Sequence, residues 1–462
     1  MSGPVLIADL FCGAGGTSSG AVAALTRLGI PHELVCVNHW PVAIETHAAN
    51  HPEARHHCVD ISTARPELIV PEGRLDLLMA SPTCTHHSRA RAGKPTGDQQ
   101  RMDPWCIVTW CTSLRVDRIC IENVPEFMEW GPVDDSTGKP DPARKGEYYI
   151  AWCAALRAIG FDLEVRILNC ADYGDATTRR RFFLLGSRVG PVRWPSPSHA
   201  PRDRADSLGL LPWRPAREII DWSVPSESIF TRKKPLSPNT LKRIAHGLVK
   251  YSGASAEPFL IVLRNHAASR GLDLPLPTVT TSGNHVGLVQ PMVLGQHGGS
   301  TARPVDQPVP TIATLGAQSL IQPFMTPIFG DRTGQQPRVL NIDDPAPTVP
   351  GNGAAGLVEP LLAPYYGSGS GQTAKPVSEP MDTVTTKDRF GLIEPDAGPP
   401  VDIRYRMLQK HELAGAQSFP PDYVFKGNTT EIKKQIGNAV PCRTAEALTF
   451  AFFDTAARAA AA

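Results

Sequence analysis

Apolar positions in the first 190 residues fall into short, near-continuous runs separated by polar turns. The runs at 5–11, 33–37, 75–80 and 118–121 read as strands buried on both faces. Helical spacing follows the first run from Ala21 and returns over 149–159, where Gly160 closes it. Residues 162–169 read as a further strand, and Asp60-Ile61 ends a short segment between the second and fourth. Strands alternating with helices predict an α/β fold with a mostly parallel sheet. In the run 179–186, period-two alternation puts Arg179, Arg181 and Phe183 on one strand face and Arg180 on the other.

The pattern changes between 190 and 400. Pro, Gly, Ser and Thr rise, and helical periodicity nearly vanishes after 241–249. A unit of about 35 residues recurs four times over 258–395. Each opens on proline and an apolar pair, as at Pro258-Phe259-Leu260, and passes through a Gly-rich polar loop. Each closes on a phrase such as Leu288-Val289-Gln290-Pro291 or Leu392-Ile393-Glu394-Pro395. Such units predict a stacked β module. Its recurrent loops, among them Arg264-Asn265-His266 and Gln296-His297, suit hydrogen bonding to base edges and phosphates. Helical spacing resumes at 407–416 and 442–458. The expected organisation is a catalytic domain over 1–190, an insert over 191–400 and a return to the first domain over 401–462.

Composition narrows the class. At 462 residues the chain exceeds one ordinary core. Lys+Arg 46 against Asp+Glu 45 means that any surface for a polyanion must be local. Ten cysteines without C-x-x-C spacing argue against a metal ribbon or disulfide scaffold and for a reducing compartment, so no metal is expected. No leader-like segment and no apolar run of spanning length is apparent, which predicts a soluble intracellular protein, monomeric and without a membrane partner.

Candidate chemistry gathers at the ends of the strands, the edge where open α/β sheets bind ligands. The run 75–80 stops at Ser81-Pro82, and Thr83-Cys84 follows. Pro82 fixes the chain there. His86, His87, Arg89, Arg91 and Lys94 supply positive charge that favours a thiolate nucleophile. The turn after the first strand holds Gly13, Gly15 and Gly16, which admit a ligand to the backbone and to a helix N-terminus. Asp9 just before it repels a pyrophosphate but suits a cation. Asn38-His39-Trp40 ends the second strand where a ribose or adenine would lie. Glu122 ends the strand at 118–121, a place suited to delivering a proton. Arginines on an inner sheet face, as Arg179 and Arg181 would be, are costly unless they meet an anion or carbonyl.

Taken in order, these motifs resemble the DNA (cytosine-5-)-methyltransferases. The run from Asp9 to Gly16 matches the family's first motif. Pro82-x-Cys84 matches its Pro-Cys motif, Glu122-Asn123-Val124 its Glu-Asn-Val motif, and Arg179-x-Arg181 its paired arginines. Gln417-x-Phe419-Pro420 and the run from Gln435 to Pro441 match the last two. The resemblance covers about 5–186 and 404–458. It implies a Rossmann-like, S-adenosylmethionine-dependent methyltransferase fold with a large β-rich, repeat-containing target-recognition insert. It implies Cys84, Glu122, Arg179 and Arg181 as catalytic residues. It implies that S-adenosyl-L-methionine is held by Asp9, Phe11, Gly13, Gly15, Gly16, Asn38, His39, Asp60, Ile61, Pro82, Asn438 and Val440. A polar loop at 88–101, with Ser88, Arg89, Arg91 and Lys94, would close over a flipped-out cytosine of double-stranded DNA and contact phosphates. A bacterial or phage-infected cytoplasm and a restriction endonuclease partner fit the same resemblance.

Thr83, Thr85 and Thr177 depart from the family's usual Pro, Gln and Gln. Asn38 replaces its ribose-binding acid, and His39 a residue that packs on adenine. An RNA cytosine C5 methyltransferase of the same fold and a catalytically decayed DNA-binding repeat protein are the alternatives. A nicotinamide oxidoreductase would share the glycine turn but leave Cys84, Glu122 and Arg181 unexplained together.

Overall fold

Strand β1 (Val5–Leu10) is buried along its whole length, and its two faces meet two different cores. Leu6, Ala8 and Leu10 join one cluster with Trp110, Phe127 and Trp152. Val5 and Ile7 join another with Ala21, Leu25, Leu448 and Phe452. A strand covered on both faces has no need of alternating polarity, and this accounts for the unbroken apolar runs in the sequence. In the computed structural model the described residues are 3–82, 102–134, 136–137, 139–229, 232–236, 259–262, 270–278, 286–293, 303–304, 325–327, 355–357, 361–364, 375–376, 390–393 and 401–454.

The other strands of the main sheet are β2 (His32–Asn38), β3 (Arg55–Cys58), β4 (Leu77–Ala80), β5 (Arg118–Asn123), β6 (Asp162–Asn169) and β7 (Arg180–Ser187). Their spatial order is β6-β7-β5-β4-β1-β2-β3. β3, β2, β1, β4 and β5 run parallel, β7 runs antiparallel to β5, and β6 closes the edge antiparallel to β7. The order reverses between β1 and β4, which makes their carboxyl ends the crevice where such sheets take ligands. Helices α3 (Asp103–Ser113) and α4 (Glu147–Ala158) cover one face with Trp110 and Trp152. The other face is covered by α1 (Gly16–Arg27) and by α7 (Cys442–Phe453), far along the chain. Each large apolar side chain buried there contributes roughly 1.5–3 kcal/mol, so the end of the chain is part of the main core. Helices α2 (Pro41–Asn50), α5 (Lys410–Ala416) and α6 (Thr429–Asn438) complete the elements used below.

The helix expected from Ala21 begins at Gly16, and the one expected over 407–416 begins at Lys410, because Met407 still belongs to strand Val401–Met407. The last helix ends at Phe453 among the described residues, short of 458.

Two compact units emerge. The first comprises Met1–Trp222, Leu272–His285 and Leu408–Ala462. It therefore runs past 190, since the following segment folds back: Trp213 Nε1 donates to Asp172 Oδ1 at 2.9 Å and Ser198 N to Asp172 O at 2.9 Å. It also takes in part of the expected insert. Ala216 N and Arg217 N donate to the carbonyls of Leu274 and Leu272 at 2.9 and 3.0 Å, and Leu276 pairs with Thr177 in a parallel bridge. The strand 401–407 belongs instead to the second unit.

The second unit comprises Ser223–Gly271 and Val286–Met407. Among the described residues its largest sheet is antiparallel, with Val286–Val293 between Phe259–Val262 and Val401–Met407. The opening and closing phrases of the repeat pair with one another at three places. Phe259 lies opposite Val289, Met325 opposite Leu357, and Leu361 opposite Ile393. The rest of the repeat at 258–395, including most of its polar loops, lies outside the described residues.

Candidate active site

Glu122 is the second-to-last residue of β5 and points to the face shared with β7. Alternation along β7 and the residue before it brings Arg179 and Arg181 to the same carboxylate, with Arg180 exposed on the far side. Arg181 Nε lies 3.2 Å from Glu122 Oε1, and Arg179 Nη2 lies 3.8 Å from it. Arg179 is 3% exposed, a burial that only paired charge and hydrogen bonding make tolerable. Its Nη1 also donates to the carbonyl of Gly437 at 3.0 Å.

The neighbouring residue, Asn123, was not among the expected site residues. Its Nδ2 donates to the carbonyl of Pro82 at 3.2 Å, and its Oδ1 accepts from Val124 N at 2.8 Å. The Glu-Asn-Val motif thus holds the end of β4 at the point where the chain leaves for Cys84. Pro82 is buried. Cys84, Ser88, Arg89, Arg91 and Lys94 lie outside the described residues.

At the crevice, Phe11 takes a left-handed backbone with φ 59°, and Gly13 follows with φ 54°. Few side chains other than glycine settle there. Among the described residues, a β-carbon on Gly13 would meet no atom nearer than the Phe11 carbonyl at 3.9 Å. Helix α1 starts without a side-chain cap, leaving N–H groups for a ligand. Gly15 and Gly16 serve a different need. A β-carbon on Gly15 would lie 2.7 Å from Tyr423 Oη, and one on Gly16 would lie 2.2 Å from the carbonyl of Val440. The C-terminal segment packs directly on both, and Gly15 also takes a left-handed backbone with φ 88° and lies against His47; Tyr423 Oη donates to the Ala14 carbonyl.

Asp9 is 1% exposed and faces the α1 side of the sheet, away from solvent. It accepts from Ser18 Oγ at 2.6 Å, while its Oδ1 has no hydrogen-bond partner among the described residues. Burial pushes its carboxyl up to about 7. As placed, it braces the first turn of α1 from beneath.

Asn38 ends β2, and its Oδ1 accepts from Trp40 N at 2.9 Å, leaving the amide nitrogen for another partner. His39 is exposed beside it. Asp60 is exposed in a turn in which Ser62 N and Oγ donate to it at 2.9 and 2.7 Å; these bonds lower its carboxyl pKa. Ile61 is buried behind it. Asn438 is exposed at the end of α6, and Val440 is buried. The motif from Gln435 to Pro441 therefore begins as the last turn of a helix, held by Gln417 Nε2 to Ile436 O at 3.1 Å. A cavity of about 860 Å³ lies apart from these residues, between Arg27, Trp194, His199 and Arg443.

The sequence profile of the C-5 cytosine-specific DNA methylases matches residues 5–211 and 359–453. The chain belongs to that family. Within it, the chain is 26% identical to the type II methyltransferase M.AgeI of Thalassovita gelatinovora, over 58% of this chain and 61% of the relative. It is also 26% identical to M.AquIA of a Picosynechococcus strain, over 50% of this chain and 91% of the relative. The match thus spans under two thirds of M.AgeI. Among solved structures, the Entamoeba histolytica methyltransferase EhMeth shares the fold at 12% identity and a TM-score of 0.50, over 98% of this chain and 99% of that one. The Dnmt2 methyltransferase of S. pombe does so at 14%, with TM-score 0.50 and the same coverage.

The methylase fold is that of S-adenosylmethionine-dependent enzymes, and the residues present fit that cofactor. The open turn at Phe11–Gly13, the uncapped start of α1 and the polar groups of Asn38 and Asp60 line one crevice edge. No helix among the described residues is long and apolar enough to cross a membrane.

Proposed function

We propose that this chain methylates cytosine at C5 in double-stranded DNA through a transient bond from Cys84 Sγ to C6. The observation that carries the reading is the Glu122 carboxylate bracketed by Arg179 and Arg181, at the edge from which Pro82 leads to Cys84. Cytosine C5 is too weak a nucleophile to attack an alkyl group unaided. Thiolate addition at C6 turns the ring into an enamine and puts negative charge on N3 and O2. Glu122 would give a proton to N3 and accept from the N4 amine. Arg181 would face O2, and Arg179 would hold Glu122 and the C-terminal segment in register. S-adenosyl-L-methionine, when bound, supplies a methyl group on a sulfonium. Phe11, the Gly13 backbone, Asn38 and Asp60 would hold it, with Pro82 and Asn438 bordering the same edge. Asn38 would bond a ribose hydroxyl less strongly than the family's carboxylate does. After transfer, water would take the C5 proton, the C5–C6 double bond would re-form as the Cys84 thiolate leaves, and N3 would return its proton to Glu122.

None of these atoms is reachable within a duplex, so the base would be flipped out. The loop at 88–101, with Ser88, Arg89, Arg91 and Lys94, would close over it and meet phosphates. The second unit would read the target sequence, and a restriction endonuclease of the same specificity is the expected partner.

Bisulfite sequencing of DNA from cells expressing the protein tests this. Cytosines in a fixed context should resist conversion, and the Cys84→Ala variant should leave none resistant while still retaining DNA on a gel. Complete conversion with the wild-type protein, or protection by the variant, refutes it.

A further inference from the structure

Behind the cofactor turn lies a cluster that the proposed reaction does not use. Cys12 follows β1, Cys36 lies in β2 and His47 lies in α2; all three are buried. Cys12 Sγ, Cys36 Sγ and a ring nitrogen of His47 lie within 4.8 Å of one another. Cys36 Sγ is 3.2 Å from His47 Nε2. Three elements have been packed so that two sulfurs and an imidazole nitrogen converge.

We propose that Cys12, Cys36 and His47 form a binding site for a thiophilic divalent cation of the zinc type. Three lines of geometry support it. The first is donor chemistry. Two thiolates and an imidazole are a preferred soft donor set for zinc, whose bonds of about 2.3 Å to sulfur and 2.0–2.1 Å to nitrogen need only small shifts from the present positions. The second is charge. A buried site must come close to neutrality, and a dication, two thiolates and a neutral imidazole sum to zero.

The third is the surrounding shell. His47 Nδ1 is 2.9 Å from His56 Nε2, so the nitrogen facing away from the sulfurs already has a partner that can orient the ring, as metal-bound histidines require. Ser18 Oγ lies 2.9 Å from His47 Nε2 and 4.0 Å from Cys36 Sγ, and it donates to Asp9. Its proton is thereby directed away from the cluster, and its oxygen is turned toward the place a fourth donor would occupy. The tautomer that would ligate through Nε2 carries its proton on Nδ1, where His56 Nε2 would accept it.

The test uses the full chain, reduced and stripped with a chelator. Cobalt(II) serves as the visible probe and zinc(II) as its competitor. One equivalent of cobalt should give a thiolate-to-cobalt charge-transfer band that one equivalent of zinc abolishes. The band should be lost in Cys36→Ala and His47→Phe and kept in Cys58→Ser. X-ray absorption at the zinc edge of the wild-type protein reads the donors without any variant, and two sulfurs with nitrogen or oxygen are expected. No cobalt band, a zinc shell of oxygen and nitrogen alone, or a four-sulfur shell overturns the proposal.

Discussion

Arg179 Nη1 bonds the carbonyl of Gly437 at 3.0 Å across 258 positions of sequence, while its other nitrogen faces Glu122. One guanidinium thus ties the candidate acid to the motif that ends α6. Arg179→Ala leaves Glu122 paired with Arg181 but strips the Gly437 carbonyl of its buried donor, which costs about 1–3 kcal/mol. Chemical denaturation should register that loss. Arg181 is less buried. Arg181→Ala should lower turnover far more than it lowers stability, a split that steady-state assays and unfolding curves on the same preparations would resolve.

Gly16→Ala would ordinarily favour a helix start. Here the added carbon meets the carbonyl of Val440 at 2.2 Å, and backbone cannot step aside as a side-chain tip can. Overpacking of this kind costs typically 1–3 kcal/mol. The midpoint of thermal unfolding should fall, and Gly13→Ala should show no comparable clash, because its neighbour is 3.9 Å away. Gly13→Ala should instead weaken cofactor binding through backbone strain, measurable by calorimetry.

Asn123→Ala would release the Pro82 carbonyl from its 3.2 Å bond. Leaving a buried acceptor unpaired costs about 1–3 kcal/mol. Cys84 would then sit on a looser anchor. The expected outcome is a lower kcat in steady-state assays of a variant that unfolding curves still show to be folded.

Asp175 is fully buried and accepts from Thr444 Oγ1 at 2.6 Å and Thr444 N at 3.0 Å, at the start of α7. Burial pushes its carboxyl up to about 6, from 3.8. The folded protein therefore holds this proton more tightly than the unfolded chain does. Its contribution is full below pH 3.8 and is lost as pH rises through about 6. Unfolding free energy measured from pH 4 to pH 7 should carry a downward component on the order of 3 kcal/mol, and Asp175→Asn should remove it.

The strands of the main sheet were legible because burial on both faces leaves a run of apolar residues that few other structures need. The arginine pair was legible too, since period two fixes which face each residue takes. Helix α2 was not read: only Ala43, Thr46 and His47 are buried in it, too few to give an apolar stripe. Helix α6 leaves no clear pattern at its end because Gly437 and Asn438 are poor helix formers, and tertiary bonds from Arg179 and Gln417 hold that turn. The close packing of Gly15 and Gly16 against Tyr423 and Val440 had no local signal, because those neighbours lie hundreds of residues away. The gathering of Cys12, Cys36 and His47 had no signature at all, because each comes from a different element and no fixed spacing joins them.

Leu276 lies in the expected insert, yet its backbone pairs with Ala176 and Thr178, one residue before Arg179. An engineer who wished to exchange the recognition region for another could not cut at its two ends alone. The graft would remove a splint from the arginine strand, so a functional chimera must keep 272–278 or supply its equivalent.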